Sequence, residues 1–104
     1  MDVYKVMITE PAEIDLKDIA RYISSQLNAP ESSLNIIKAI RNKISTLIKN
    51  ALLNPYVRDD RLAAIGYRSV TVKNYTAFYI AHKKEKKVEV DRILYSRRDW
   101  KNII

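Results

Sequence analysis

The sequence contains no cysteine, one glycine and one histidine in 104 residues. Each scarcity removes a class of chemistry. Without cysteine there are no disulfides, thiolate nucleophiles or iron–sulfur clusters, and a single imidazole leaves no standard zinc site. No metal and no cofactor are therefore expected. The lone glycine, Gly66, excludes the Gly-rich loops that cradle phosphates. No apolar run approaches the roughly 20 residues of a membrane span. The opening MDVYKVMITE lacks the basic-then-apolar pattern of a secretion signal. The expectation is a cytoplasmic protein with no membrane partner, and the lack of cysteine fits a reducing compartment.

What is abundant is positive charge, and it is unevenly spread. The net charge is +7, of which residues 66–104 supply +6, with ten basic and four acidic side chains. Residues 1–65 are nearly neutral, at +1. Such a balance points to an acidic or polyanionic partner: nucleic acid, the ribosome, or an acidic protein. The length suits one domain, 1–104, and a 47% hydrophobic content suits a packed core.

Hydrophobic spacing orders the elements. In VYKVMIT, residues 3–9, Tyr4, Val6 and Ile8 share one face of a strand. Thr9 is placed to cap a helix, with Pro11 in its first turn and Glu10, Glu13 and Asp15 near its positive end. Leu16, Ile19, Ala20, Ile23 and Leu27 form the stripe of that helix, which should end near Asn28 ahead of Pro30. A second helix from Pro30 carries Leu34, Ile37, Ile40, Ile44, Leu47, Ile48 and Ala51 and stops at Asn54-Pro55. The short link makes the two an antiparallel hairpin. Residues 54–65 show no clear period and read as a connection, with Tyr56 and Leu62 tucked under a sheet. Three strands come next, at 67–73, 75–81 and 88–95, joined by Lys73-Asn74, where Asn tolerates a left-handed backbone, and by HKKEKK. A short terminal helix then docks Trp100, Ile103 and Ile104 on the body. The fold expected is α+β: an antiparallel sheet in the order β-α-α-β-β-β, with the N-terminal helical hairpin on one face. The other face is expected to stay open and to carry polar and basic side chains.

Catalytic constellations are scarce. His82 opens a lysine-rich turn with no nucleophile beside it in sequence, and reads as structural or solvated. Glu89 and Asp91 are expected to pair with lysines and arginines. What remains is a set of cations and aromatics: Arg68, Lys73, Tyr75, Tyr79, Arg92, Tyr95, Arg97 and Arg98. Arg and Lys neutralise phosphate, and Tyr stacks on bases or bonds to phosphate oxygens. A site of this kind can cleave RNA without a metal by stabilising charge on the phosphorane. Tyr75 and Tyr79 share a strand face and read equally well as core-edge aromatics. Arg97 and Arg98 come after a strand end, where side chains project, and rank first; Arg68 comes next.

Three stretches together resemble the RelE/ParE superfamily, the toxins of bacterial type II toxin–antitoxin modules: YKVMITEPAEIDLKDIARYI, GYRSVTVKNYTAFYI and VDRILYSRRDW. The resemblance covers almost the whole chain. It implies a growth-inhibiting toxin, of the kind that stabilises plasmids, masked by a cognate antitoxin. Two activities divide the superfamily. RelE-like members cut mRNA on the ribosome; ParE-like members poison DNA gyrase and are not nucleases. Aligning Tyr75 with the first tyrosine of the RelE-like pattern puts Thr71 and Thr76 where arginines would stand. The ending RILYSRRDW is closer to the ParE-like one, with Tyr95 in place of a histidine. The resemblance thus favours gyrase inhibition, without enzymatic chemistry. In that reading Arg68, Lys73, Tyr75, Tyr79, Arg92, Arg97, Arg98 and Trp100 contact the target or the antitoxin. In the RelE-like alternative, a metal-independent endoribonuclease, Arg97 and Arg98 hold the scissile phosphate, and Tyr95 or Arg68 orients the 2′-hydroxyl. A non-catalytic basic nucleic-acid-binding module is the third alternative.

Overall fold

The computed structural model describes residues 2–104. Strand β1 covers Lys5–Ile8, and Thr9 caps helix α1, Glu10–Arg21, with its Oγ1 accepting the Ala12 N–H at 3.4 Å. The helix does not run on smoothly to Asn28. It passes into a π-helical turn, Tyr22–Gln26, and Asn28 takes the left-handed conformation (φ 50°). The wider turn holds an extra residue and rotates the end of this arm. Leu27, expected in the buried stripe, is therefore 56% exposed. The chain reverses directly into α2, Pro30–Ser45, and the Ser33 hydroxyl ties the two arms by donating to the Ala20 carbonyl at 2.8 Å.

One continuous second helix was expected; the structure breaks it at Thr46, so that α3 is Leu47–Asn50. Ser45 and Thr46 both turn their hydroxyls back onto carbonyls three residues earlier, at 2.6 Å each, which loosens the helical ladder. The next connection holds a further helix, α4, Asp60–Ile65. The Asp59 carboxylate caps it by accepting the Leu62 N–H at 3.0 Å, and Gly66, at φ 116°, ends it in a conformation that a side chain would strain. Leu62 is buried as expected, but Tyr56 lies 47% exposed.

Strands β2 (Tyr67–Val72), β3 (Tyr75–His82) and β4 (Lys87–Tyr95) form consecutive antiparallel pairs, and α5 (Trp100–Ile103) is the last element. The spatial order is β1-β4-β3-β2, with β1 parallel to β4. The sheet is thus antiparallel except at that pair, where the long helical crossover returns the chain in the same direction. In the β2–β3 turn the left-handed residue is Lys73 (φ 56°), not Asn74.

Two cores sandwich the sheet. On the hairpin side, Leu16, Ile40, Ile44 and Leu47 pack on Val70, Ala77, Tyr79, Val88, Val90 and Ile93. On the other side, Phe78 and Leu94 lie under Val57, Leu62, Trp100, Ile103 and Ile104. This corrects the expectation of an open, basic second face. The signal was in β3 itself: YTAFYIAH is apolar at both parities, the mark of a strand buried on two sides.

A bulge in β4 shapes the contact between the layers. Val90 lies opposite Tyr79 and Arg92 opposite Phe78, leaving Asp91 without a partner. Beyond the bulge, the Arg92 guanidinium grips Asp15 of α1 with two hydrogen bonds, Nε to Oδ2 at 2.8 Å and Nη2 to Oδ1 at 2.9 Å. The same carboxylate accepts the Ile93 N–H at 2.9 Å. The bond to Asp15 raises the pKa of Arg92 further above its already high ordinary value.

Candidate functional site

The predicted residues separate into an internal group and a rim. Arg68 is only 8% exposed. Its Nη1 donates to the Asn54 carbonyl at 2.6 Å, and its guanidinium lies 4.0 Å from the centre of the Tyr56 ring. There it satisfies carbonyls just beyond the helical hairpin, so its role is to hold that end to β2. Tyr79 is fully buried; its hydroxyl donates to the Ala51 carbonyl at 2.7 Å and accepts from Asn54 Nδ2 at 3.1 Å. Arg92 faces Asp15. These three were expected at a binding surface, and the structure places all three in internal contacts. Strand cations alternate as surface residues do, and only the distant partner reveals the difference. Trp100 is half-buried, with its ring 5.1 Å from that of Phe78.

Lys73, Tyr75, Tyr95, Arg97 and Arg98 meet at one end of the sheet. The two turns carrying them are clipped together by Ser96 N–H donating to the Asn74 carbonyl at 2.8 Å. Tyr75 and Tyr95 are paired across β3 and β4, edge to face, with centroids 6.0 Å apart. Lys73, Arg97 and Arg98 are exposed, and none of them forms an ion pair among the described residues.

Beside this rim, a cleft of about 530 Å³ opens between α1, the π-helical turn and the sheet. It is lined by Tyr75, Tyr95 and Arg98, and also by Asp18, Ile19, Tyr22 and Leu27. The last four were not expected at a site from sequence. Tyr22 and Leu27 are 54% and 56% exposed. Their signal is a pair of large apolar residues at the reversal before Pro30. Burial, with Tyr22 and Tyr95 close by, raises the Tyr75 pKa.

The middle of the second face near this end is neutral. Thr71 and Thr76 share a hydrogen bond of 3.2 Å, and Thr76 meets the Ser96 hydroxyl at 2.8 Å. Thr71 and Thr76 are the two positions that the sequence resemblance aligns with arginines of the RelE-like pattern. Towards the other end the same face is acidic. The Tyr67 hydroxyl donates to Asp91 Oδ2 at 2.6 Å, and His82 Nε2 lies 3.3 Å from Glu89 Oε1. Asp91 was expected to pair with a cation; it faces Tyr67 and Glu89 instead. Burial, and after it the neighbouring Glu89, pushes its pKa up to about 6.

That shift has a definite sign. The folded chain holds the Asp91 proton at a pH where the unfolded chain has released it, so this group's contribution to stability falls as pH rises from the ordinary carboxylate range through about 6, while Glu89, lowered by its hydrogen bond to Asp91, contributes with the opposite sign at lower pH. Asp91→Asn keeps an acceptor for Tyr67 and removes the charge. At pH 7.5 it should stabilise the fold by roughly 1 kcal/mol after allowance for solvent screening, or about 4–8 °C in Tm. Melting curves between pH 5 and 7.5 test this: the gap between variant and wild type should close at the acidic end, and parallel curves would contradict it.

A family description, "ParE toxin of type II toxin-antitoxin system, parDE", matches residues 6–100. The chain belongs to the ParE toxin family. Solved structures agree on the fold. A chain of the chromosomal ParDE toxin–antitoxin system from P. aeruginosa superposes with a TM-score of 0.72 at 22% identity, over 88% of this chain and 94% of that one. A chain of the RelBE2 toxin–antitoxin complex from Mycobacterium tuberculosis gives 0.66 at 19% identity, over 89% and 98%. No curated protein matches the sequence closely enough to add to this. No helix among the described residues is long and apolar enough to cross a membrane.

Proposed function

We propose that this ParE-family toxin inhibits DNA gyrase and is held inactive by a cognate antitoxin. One observation carries the choice of target. A metal-free nuclease needs cations over the scissile phosphate. Here the sheet offers the Thr71–Thr76–Ser96 hydroxyls, while Arg68 and Arg92 are committed to internal partners. The cations left free, Lys73, Arg97 and Arg98, sit on a projecting rim suited to a protein surface or to DNA backbone. The antitoxin reading is supported by the family and by the exposed Tyr22, Leu27 and Tyr95 around the cleft, which an acidic and partly apolar segment would cover.

The deciding experiment adds purified chain to gyrase and relaxed plasmid. Supercoiling should stop, with cleaved DNA complexes accumulating. Undiminished supercoiling at excess chain would overturn the reading. The same preparation is added to translating ribosomes. Cuts in mRNA there would move the assignment to the RelE-like alternative, with Tyr95, Arg97 and Arg98 at the phosphate. Tight, steeply salt-dependent binding to free nucleic acid without either effect would favour the non-catalytic binding module.

A further inference from the structure

The basic residues of 66–104 do not all gather at the rim. Lys83, Lys84, Lys86 and Lys87 occupy the β3–β4 turn and the first position of β4, at the opposite end of the sheet. β3 runs from Tyr75 to His82, so this end lies roughly 23 Å from Arg97 and Arg98. β1 enters beside the turn: the Lys5 N–H donates to the Lys86 carbonyl at 2.9 Å, and Lys5 stands in register with Lys87. In-register neighbours project to the same side of a sheet, and like charges so placed repel each other.

Nothing in the chain relieves that repulsion with a dedicated ion pair. Lys86 Nζ takes Asp2 at 2.8 Å. Glu89 faces His82 and Asp91 faces Tyr67, and Glu85 is the one acidic side chain within the turn. Lys5, Lys83 and Lys84 are exposed and Lys87 is half-buried; none of the four forms an ion pair among the described residues.

We infer that Lys5, Lys83, Lys84 and Lys87 form a binding surface for the phosphate backbone of duplex DNA. The composition of the two ends decides the partner. Protein interfaces are rich in arginine and aromatic residues and poor in lysine. The rim, with Tyr75, Tyr95, Arg97 and Arg98, is of that kind, whereas residues 83–87 contain neither an arginine nor an aromatic ring. Lysine offers a mobile point charge that meets phosphates whatever the sequence. Single strands are held by stacking bases on aromatic rings, which this stretch lacks, so the duplex is the fitting form. A phosphate between Lys5 and Lys87 turns their repulsion into shared attraction. The inference goes beyond the gyrase reading and does not depend on it. Where both hold, the arginine end is left for protein while the lysine end rests on DNA.

The test measures fluorescence anisotropy of a labelled duplex of about 20 base pairs between about 50 and 200 mM KCl. Contacts from four lysines give a log–log salt slope of about −3 to −4. Lys83→Ala with Lys84→Ala should bring the slope to about −2 and weaken binding at the lowest salt by about tenfold or more. Lys5→Glu gives a readout that misfolding cannot mimic: by placing opposite charges in register with Lys87 it should raise Tm, yet weaken duplex binding. Arg97→Ala with Arg98→Ala should change duplex binding by no more than about threefold. Lysine variants that bind duplex like the wild type overturn the inference, as does a wild-type chain that binds no duplex at the lowest salt. Equal binding to poly-glutamate, or tighter binding to phosphatidylglycerol vesicles, makes this end a general anion surface or a membrane contact and also overturns it. Supercoiling measured alongside keeps the two readings apart: gyrase inhibited without duplex binding removes this surface alone, and lysine-dependent duplex binding without inhibition supports it and removes the gyrase reading.

Discussion

Replacing Arg97 and Arg98 together by alanine is expected to abolish growth arrest while leaving the fold intact. Both side chains are exposed, and neither forms an ion pair among the described residues, so their loss should change stability by no more than about 0.5 kcal/mol. Each charge-assisted contact to a target contributes about 1.5–3 kcal/mol, so losing two should weaken target engagement by roughly 100-fold or more. The measurement pairs colony counts after induction with the melting curve of the purified variant. Continued arrest with an unchanged melt would remove the rim from the functional site. A charge-conserving pair refines the result: if charge alone matters, Arg97→Lys with Arg98→Lys should retain activity, whereas bidentate contact predicts loss.

The second large effect concerns stability. Asp15→Ala should destabilise the fold by about 3–5 kcal/mol, the range for breaking a buried ion pair from one side. Asp15 is 7% exposed and holds three donors at once, two from Arg92 and one from the Ile93 N–H. Its removal strands a largely enclosed guanidinium and an amide beside the β4 bulge. Against a total stability of about 5–15 kcal/mol, such a loss is severe. Asp15→Asn should fall between, because an amide oxygen still accepts from Ile93 but cannot neutralise Arg92. Urea unfolding measures both; a cost below about 1 kcal/mol for alanine would mean that the pair is balanced by its own desolvation.

The elements that can be read from sequence are those with a long enough period. The stripe from Leu16 to Ile23, the Thr9 cap and the alternating strands carry such signals, and all appear in the structure. α4 is too short to show a helical period, although its two punctuation marks, Asp59 and Gly66, are in plain view. The π-helical turn has no composition of its own; it arises from fitting the reversal between Ile23 and Pro30. At the site, the same division holds. Lys73, Arg97 and Arg98 can be placed because turn residues project. Arg68 and Arg92 cannot, because their partners lie far along the chain: Asp15 is 77 positions from Arg92. A charged residue in a strand looks solvent-facing until the opposing layer is known. Phe78 and Leu94 make the converse point, since their shared face is apolar and already claimed by α4 and α5.

The pairing of β1 with β4, Lys5 opposite Lys87 through Ile8 opposite Val90, also governs when this protein comes into being. Polypeptides leave the ribosome amino end first, so the first strand emerges long before its neighbour exists. The nascent chain must wait, unclosed, until β4 has been synthesised. Arg97 and Arg98 are joined directly after that strand. The cationic rim and the completed sheet therefore arrive together.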